Sequence, residues 1–194
     1  MSNLPIILAS ASPARLELLS RIGIHPIVMP ADIDETEYKR ELPFDVASRL
    51  SQEKAEAIAP SIESGYIIAA DSVSAVGRRI MPKAVTKEMV ADCLRAFSGR
   101  RHNLYTGVHI IKKTADKIEA RHRVVHTVIK FKNLSADEID FYVHSGEGLN
   151  KAGGYSIQGF AQSYVSFIGG SFSNIIGLPL YETRNMLLSL GYWQ

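Results

Sequence analysis

Ser10, Ser12 and Arg15 flank Pro13 within the run Ile6 to Leu19, and together they have the chemistry of an anion cradle. Ser12 before Pro13 reads as a helix N-cap with proline at the first helical position, and proline also biases Ser12 to the extended conformation a cap needs. A self-contained helix start often places Glu or Gln three residues after its cap to close a capping box; this chain has Arg15 there. Free amides at the positive end of a helix dipole, two hydroxyls and a guanidinium are groups that hold phosphate. An ordinary capped helix after a strand has the same local sequence, so this stretch alone leaves both readings open.

Two acidic stretches add to the candidate chemistry. Asp32, Asp34 and Glu35 crowd a loop after Pro30, which suits either Mg²⁺ held through one or two oxygens or a solvated acidic turn. Asp71 follows the apolar run Tyr66 to Ala70, which reads as a buried strand ending on Asp71-Ser72. Ligands gather at the carboxyl ends of strands in open α/β sheets, which makes Asp71 a catalytic candidate; Asp also favours strand-ending turns for purely local reasons. Glycines crowd Asn150 to Gly159 and recur at Gly169, Gly170 and Gly177, where they permit either tight turns or close approach of backbone to a ligand.

The elements that must position these residues can be read in order. Ile6 to Ala9 is a short buried strand, followed by a helix from Ser12 that Gly23 terminates. An extended piece through Val28 and Met29 precedes the acidic loop, and Pro43 opens a helix to about Ala59 with Val46, Leu50 and Ala57 inward. Lys54 on that helix reads as a surface lysine. After the Tyr66 to Ala70 strand and a turn-bounded segment from Arg78 to Lys83, a helix runs from a Thr86 cap to Phe97, with Cys93 among its core residues. Arg100-Arg101-His102 reads as a solvated turn. Alternation over His102 to Ile111 and Glu119 to Phe131 predicts a long antiparallel hairpin, whose His109, His122 and His126 lack metal-ligand spacing. Ser135 to Glu138 is a capping box opening a helix that Gly146 ends; a strand from Gln162 to Ile168 and a terminal helix follow.

Bulk properties narrow the field. The chain has 194 residues, 46% hydrophobic and 22% charged, which predicts one α/β unit spanning residues 1–194. Twenty-two basic residues against 20 acidic ones give a formal charge of +2, so any anion site is local and no field for nucleic acid or an acidic membrane exists. A single cysteine, no signal peptide and no long apolar run point to a cytoplasmic protein without membrane contact.

Six segments in order resemble the Maf family of nucleotide pyrophosphatases: Ser10-Ala-Ser-Pro-Ala-Arg15, Ala-Ala-Asp71-Ser, Pro82-Lys83, Phe-Ser-Gly-Arg100-Arg-His102, Lys151-Ala-Gly-Gly-Tyr-Ser-Ile-Gln158-Gly and Gly177-Leu-Pro-Leu-Tyr-Glu-Thr. The resemblance runs from Leu8 to about Leu188. It implies a long, twisted mixed sheet flanked by helices, with two lobes around a cleft, related to the inosine triphosphate pyrophosphatases. It also implies cleavage of nucleoside triphosphates to monophosphate and pyrophosphate by a homodimer using a divalent cation, Mg²⁺, Mn²⁺ or Co²⁺. Matched position by position, Asp71 corresponds to the family's catalytic aspartate, and Ser10, Arg15, Glu35, Lys54 and Lys83 to its pocket residues, with Ser12 beside them. Glu35 and Asp71 are the metal candidates. Gln158 matches the glutamine that helps read the base in the branch acting on dTTP and UTP. That branch usually has Arg where this chain has Ala14 and Thr where it has Ser72, both positions tied to base selectivity. The sister branch acting on 7-methyl-GTP tends to carry Glu in place of Gln158 and to lack Lys151, and remains the alternative substrate class. A non-catalytic nucleotide sensor linked to arrest of septum formation is the rival from outside enzymology.

Overall fold

The computed structural model describes residues 4–192; residues 1–3 and 193–194 of the expected single domain lie outside the described part. Its main sheet has seven strands. β1 (Ile6–Leu8) pairs in parallel with β2 (Ile27–Val28) and β3 (Gly65–Val76), and β3 continues antiparallel to β6 (Arg101–Lys113) and then β7 (Ile118–Phe131). β9 (Val165–Gly169) closes the far edge on β7, and β4 (Arg79–Met81) folds back on the end of β3 through a turn at Gly77. A two-stranded ribbon, β5 (Lys83–Ala84) with β8 (Lys151–Ala152), stands apart. Among the described residues six α-helices flank the strands: α1 (Pro13–Arg21), α2 (Pro43–Ile58), α3 (Lys87–Phe97), α4 (Ala136–Ser145), α5 (Phe172–Ile176) and α6 (Leu180–Ser189). This is the mixed α/β architecture the resemblance implied.

The core divides in a way that sets up two lobes. On one face of β1, β3 and β6, α1 and α6 bury Leu18, Leu19, Met186 and Leu187 against Ile6, Ile68, Val108 and Ile110. The opposite face packs α2, with Ala55 and Ile58 against Ile67 and Ala69, and Val46 and Leu50 against Val73. Beyond Val73, a separate aromatic core joins α3, α4 and the glycine-rich stretch through Phe97, Phe131, Tyr142, Tyr155 and Tyr164. β3 is long enough to serve all three, which is why its middle lies between the lobes.

Several expectations need correction. The Tyr66 to Ala70 strand does not end at Asp71 but runs on to Val76, because β6 keeps pairing with β3 as far as Ala75 opposite Asn103. Asp71 is therefore a mid-strand residue. In α2 Ala57 is exposed, while Lys54 takes an inward position beside Ala55 and Ile58. His102 is not in a solvated turn: it opens β6, wholly buried, with its ring stacked on Phe97 at 4.0 Å and Nε2 3.0 Å from the Tyr155 hydroxyl. The strand expected from Gln162 starts at Val165, since Phe160–Tyr164 first makes a 3-10 turn. The terminal helix after Pro179 forms as expected, over Leu180–Ser189, but a further short helix, Phe172–Ile176, precedes it, with Gly177 at φ 127° between them. No helix among the described residues is long and apolar enough to cross a membrane.

Candidate active site

β1 stops at Leu8, paired with Ile68, and β4 begins pairing with β3 only at Ser74. The β3 segment between them borders β6 on one side and, among the described residues, no strand on the other, leaving a notch in the sheet beside Asp71. The loop leaving β1 crosses this notch and carries Ser10, and α1 follows it as the cap predicted. Ser12 is extended at φ −71° and ψ 114°, and its side chain accepts from the Arg15 amide at 3.5 Å. Pro13 has no N–H and the Arg15 amide is taken by the cap, so fewer first-turn amides are free for an anion than the sequence suggested; Ala14 keeps its own.

Arg15 itself is partly buried and held by three neutral acceptors. Its Nη1 donates to Ser10 Oγ at 3.0 Å, its Nε to the Gly177 carbonyl at 2.9 Å and its Nη2 to Ser72 Oγ at 3.3 Å. Burial pushes its pKa down from the ordinary arginine value, opposed by the negative charges of Asp71 and Glu35. A guanidinium has five N–H donors, so two stay available to a ligand. Ser72 also lies 2.9 Å from Thr106 Oγ1, and Thr106 donates in turn to the Asn174 carbonyl, tying the cradle to α5.

Asp71 projects to the other face. Alternate residues of a strand point to opposite sides, so Ser72 meets Arg15 while Asp71 meets α2. There Lys54 Nζ donates to Asp71 Oδ1 at 2.6 Å and pairs with Glu35 Oε1 at 2.7 Å. The Lys54 and Asp71 side chains are only 9% and 12% exposed, whereas Glu35 is 58% exposed on its loop. One ammonium thus gathers both carboxylates that the resemblance marked, and burial of a lysine is tolerated because it is paired on both sides.

A family profile described as Maf-like protein matches residues 5–190. The chain belongs to the Maf family. A protein named nucleoside triphosphate pyrophosphatase from Rickettsia rickettsii (strain Sheila Smith) is 58% identical over 192 residues, covering 98% of this chain and 89% of its own. Relatives of the same name from Rickettsia felis and Rickettsia akari are 58% and 56% identical, each over 98% of this chain and over 95% and 96% of their own.

Of the residues singled out in this Maf chain, Ser10, Ser12, Arg15 and Ser72 are brought together on one face of the sheet beside the notch, and Glu35, Lys54 and Asp71 on the other. Ala14 sits in the first turn of α1, half-buried. Lys83 and Gln158 stand apart from that cluster. Lys83 is exposed on the ribbon, where β5 pairs with β8, and among the described residues its ammonium has no ion-pair partner. Gln158 is exposed on the aromatic lobe, close enough to Glu17 of α1 to help Arg21 hold that carboxyl below its ordinary value.

Sequence reasoning missed Gly107. It is paired with Asp71, and a Cβ there would lie 2.0 Å from the Ala47 carbonyl oxygen of α2 and 2.6 Å from Ser51 Oγ. Only a glycine lets α2 come close enough for Lys54 to reach Asp71. A lone glycine inside a strongly alternating strand was the available signal. His109 and His122 face each other across β6 and β7; among the described residues no three potential ligands of the His, Cys, Asp and Glu types gather together. Cys93 is buried in the aromatic lobe, where burial pushes its thiol up to about 11.

Proposed function

We propose that this chain hydrolyses nucleoside triphosphates between the α- and β-phosphates, releasing a nucleoside monophosphate and pyrophosphate. The observation that carries the reading is Lys54 joined to both Asp71 and Glu35 beside the Ser10–Arg15 cradle. The names of the Rickettsia relatives support it. In this reaction a water oxygen bonds to the α-phosphorus, the bond from that phosphorus to the bridging oxygen breaks, and pyrophosphate leaves with the electron pair. Asp71 is positioned as the acceptor of the water proton, on its carboxylate oxygens. Arg15 and the start of α1 meet phosphate oxygens from one face of the sheet, and Lys54 meets them from the other. Lys83, exposed on the ribbon, closes the charge balance from the opposite lobe.

The donor set also fits a divalent cation. Glu35 and Asp71 converge on one ammonium, so they can share one cation, and a pair of carboxylates completed by water and phosphate oxygens is how Mg²⁺ is usually held. When bound, such an ion supplies positive charge against the phosphate oxygens and lowers the pKa of coordinated water.

Gln158 carries the finer part of the proposal, a preference for pyrimidine triphosphates. A carboxamide offers both a donor and an acceptor, which complements the imide edge of uracil or thymine. Ala14 and Ser72 shape the same selectivity, Ser72 through its bond to Arg15.

The test is release of pyrophosphate and monophosphate with Mg²⁺ from UTP, dTTP, CTP, 7-methyl-GTP and the common purine triphosphates. Asp71→Asn should lower kcat by about 10²–10⁴ in a folded protein, the usual contribution of a positioned base. Unchanged turnover in Asp71→Asn overturns its role. Turnover of 7-methyl-GTP tenfold faster than UTP overturns the pyrimidine preference.

A further inference from the structure

Glu35 belongs to a stretch between β2 and α2, residues 29–42, that contains no helix or strand. Left to itself, an irregular segment of this length samples many conformations, and ordering it costs backbone entropy at every residue. Something must hold it if Glu35 is to reach Lys54. The holding group is on α2. Arg49 donates from Nε to Glu41 Oε1 and from Nη2 to Glu41 Oε2, each at 2.7 Å, and from Nη2 to the Thr36 carbonyl at 3.1 Å. Its Nη1 donates to Glu53 Oε2 at 3.2 Å, and its guanidinium carbon lies 4.0 Å above the Tyr38 ring.

The loop is shaped to receive that grip. Tyr38 to Glu41 form a tight turn, with the Glu41 amide donating to the Tyr38 carbonyl at 3.0 Å and Arg40 left-handed at φ 68°. The turn brings Glu41 back so that its carboxylate also accepts from the Tyr38 amide at 2.9 Å. On the other side of Glu35, the Thr36 amide donates to Asp34 Oδ1 at 2.9 Å. Glu35 is thus pinned one peptide away from the carbonyl that Arg49 holds. Arg49 and Glu41 are 16% and 10% exposed, so this bidentate pair is largely withdrawn from water and from screening by salt.

We infer that Arg49 is a positioning residue for the active site: clasped to Glu41 and Thr36, it fixes the loop so that Glu35 stands over Lys54 and Asp71. The same helix carries Arg49 and Lys54, so one rigid element sets both ends of the Glu35 contact. The inference rests on the function proposed above for its catalytic consequence, and on the loop geometry for its structural one. Arg49→Lys keeps the charge and removes the planar fork; Glu41→Gln keeps the shape and removes the charge.

The experiment pairs two readouts on both variants. Hydrogen exchange over residues 30–41 of the free protein should quicken about tenfold while β6 exchanges as before, because local opening has become easier. KM for the magnesium triphosphate should rise about 10- to 100-fold, the usual cost of losing a group that orients a metal-holding side chain, with kcat changed less than about threefold. In a Glu35→Gln background the Arg49→Lys effect on KM should shrink to less than about twofold, since its route runs through Glu35. Unchanged exchange over residues 30–41 in both variants overturns the clasp, as does a KM effect that adds in full to that of Glu35→Gln. A wild-type protein that turns over no triphosphate removes the proposed function instead, and the exchange measurement then decides the clasp alone.

Discussion

Gly107→Ala tests whether the close approach of α2 to β6 holds the active site together. The new Cβ would lie 2.0 Å from the Ala47 carbonyl oxygen, and ordinary contact begins near 3.4 Å, so the helix backbone has to retreat by about 1.4 Å. Overpacking of this kind typically costs about 1–3 kcal/mol of stability. The same retreat draws Lys54 away from Asp71, stretching a 2.6 Å hydrogen bond past useful length unless the lysine stem extends to follow. A displacement of about 1 Å at reacting groups can cost on the order of 100-fold in rate. Urea denaturation measures the first effect, and kcat/KM for the best triphosphate, at a temperature where the variant is folded, measures the second. Gly77→Ala is the control: Gly77 has φ 59° but nothing within 4 Å of a Cβ. It should lose about 1–2 kcal/mol from left-handed strain alone and keep its activity. A Gly107→Ala enzyme with kcat/KM within threefold of wild type would refute the reasoning, because α2 would then not need its present distance from the sheet.

Arg15→Lys keeps the positive charge but loses the fork that spans Ser10, Ser72 and the Gly177 carbonyl; kcat/KM should fall about 10- to 100-fold, as expected for lost charge-assisted bonds, and steady-state kinetics matching wild type would mean that charge alone suffices. Burial pushes His102 down to about 3, whereas an unfolded histidine takes its proton near pH 6.5. The unfolded state therefore binds more protons across that window, and stability is lost as pH falls through it. From pH 7 to pH 5 His102 contributes a loss of about 2 kcal/mol; the difference between urea titrations at those two values should shrink by that amount in His102→Gln, and an unchanged difference would show that folded His102 does take up a proton.

What the sequence made legible was mostly local. Ser12-Pro13, Thr86 and the Ser135–Glu138 box each mark a helix start through a side chain that caps its own neighbours, and all three caps form. The β6–β7 hairpin was equally plain from alternation. The misses have a common cause, namely partners far away in the chain. Asp71 looks like the end of a strand until β6 is placed beside it, and Lys54 looks exposed until Asp71 and Glu35 arrive to neutralise it. His102 looks solvated until Phe97 and Tyr155 enclose it. Family resemblance picked out the candidate residues; that Arg15 and Ser72 meet on one sheet face and Lys54 and Asp71 on the other was not legible, because it depends on how far β3 runs.

That division has a consequence for insertions and deletions. Asp71 and Ser72 are neighbours whose side chains serve opposite sides of the same strand, so their roles are assigned by parity rather than by distance. One residue added between Ile68 and Asp71 would turn the carboxylate toward the Arg15 cradle and send a small apolar side chain toward Lys54, while leaving the composition of the strand almost unaltered. Two added residues would restore the facing but carry the acid about 7 Å farther along the strand, away from Lys54. The stretch of β3 across the notch thus behaves like a reading frame, tolerant of many exchanges of one side chain for another and intolerant of any change in count.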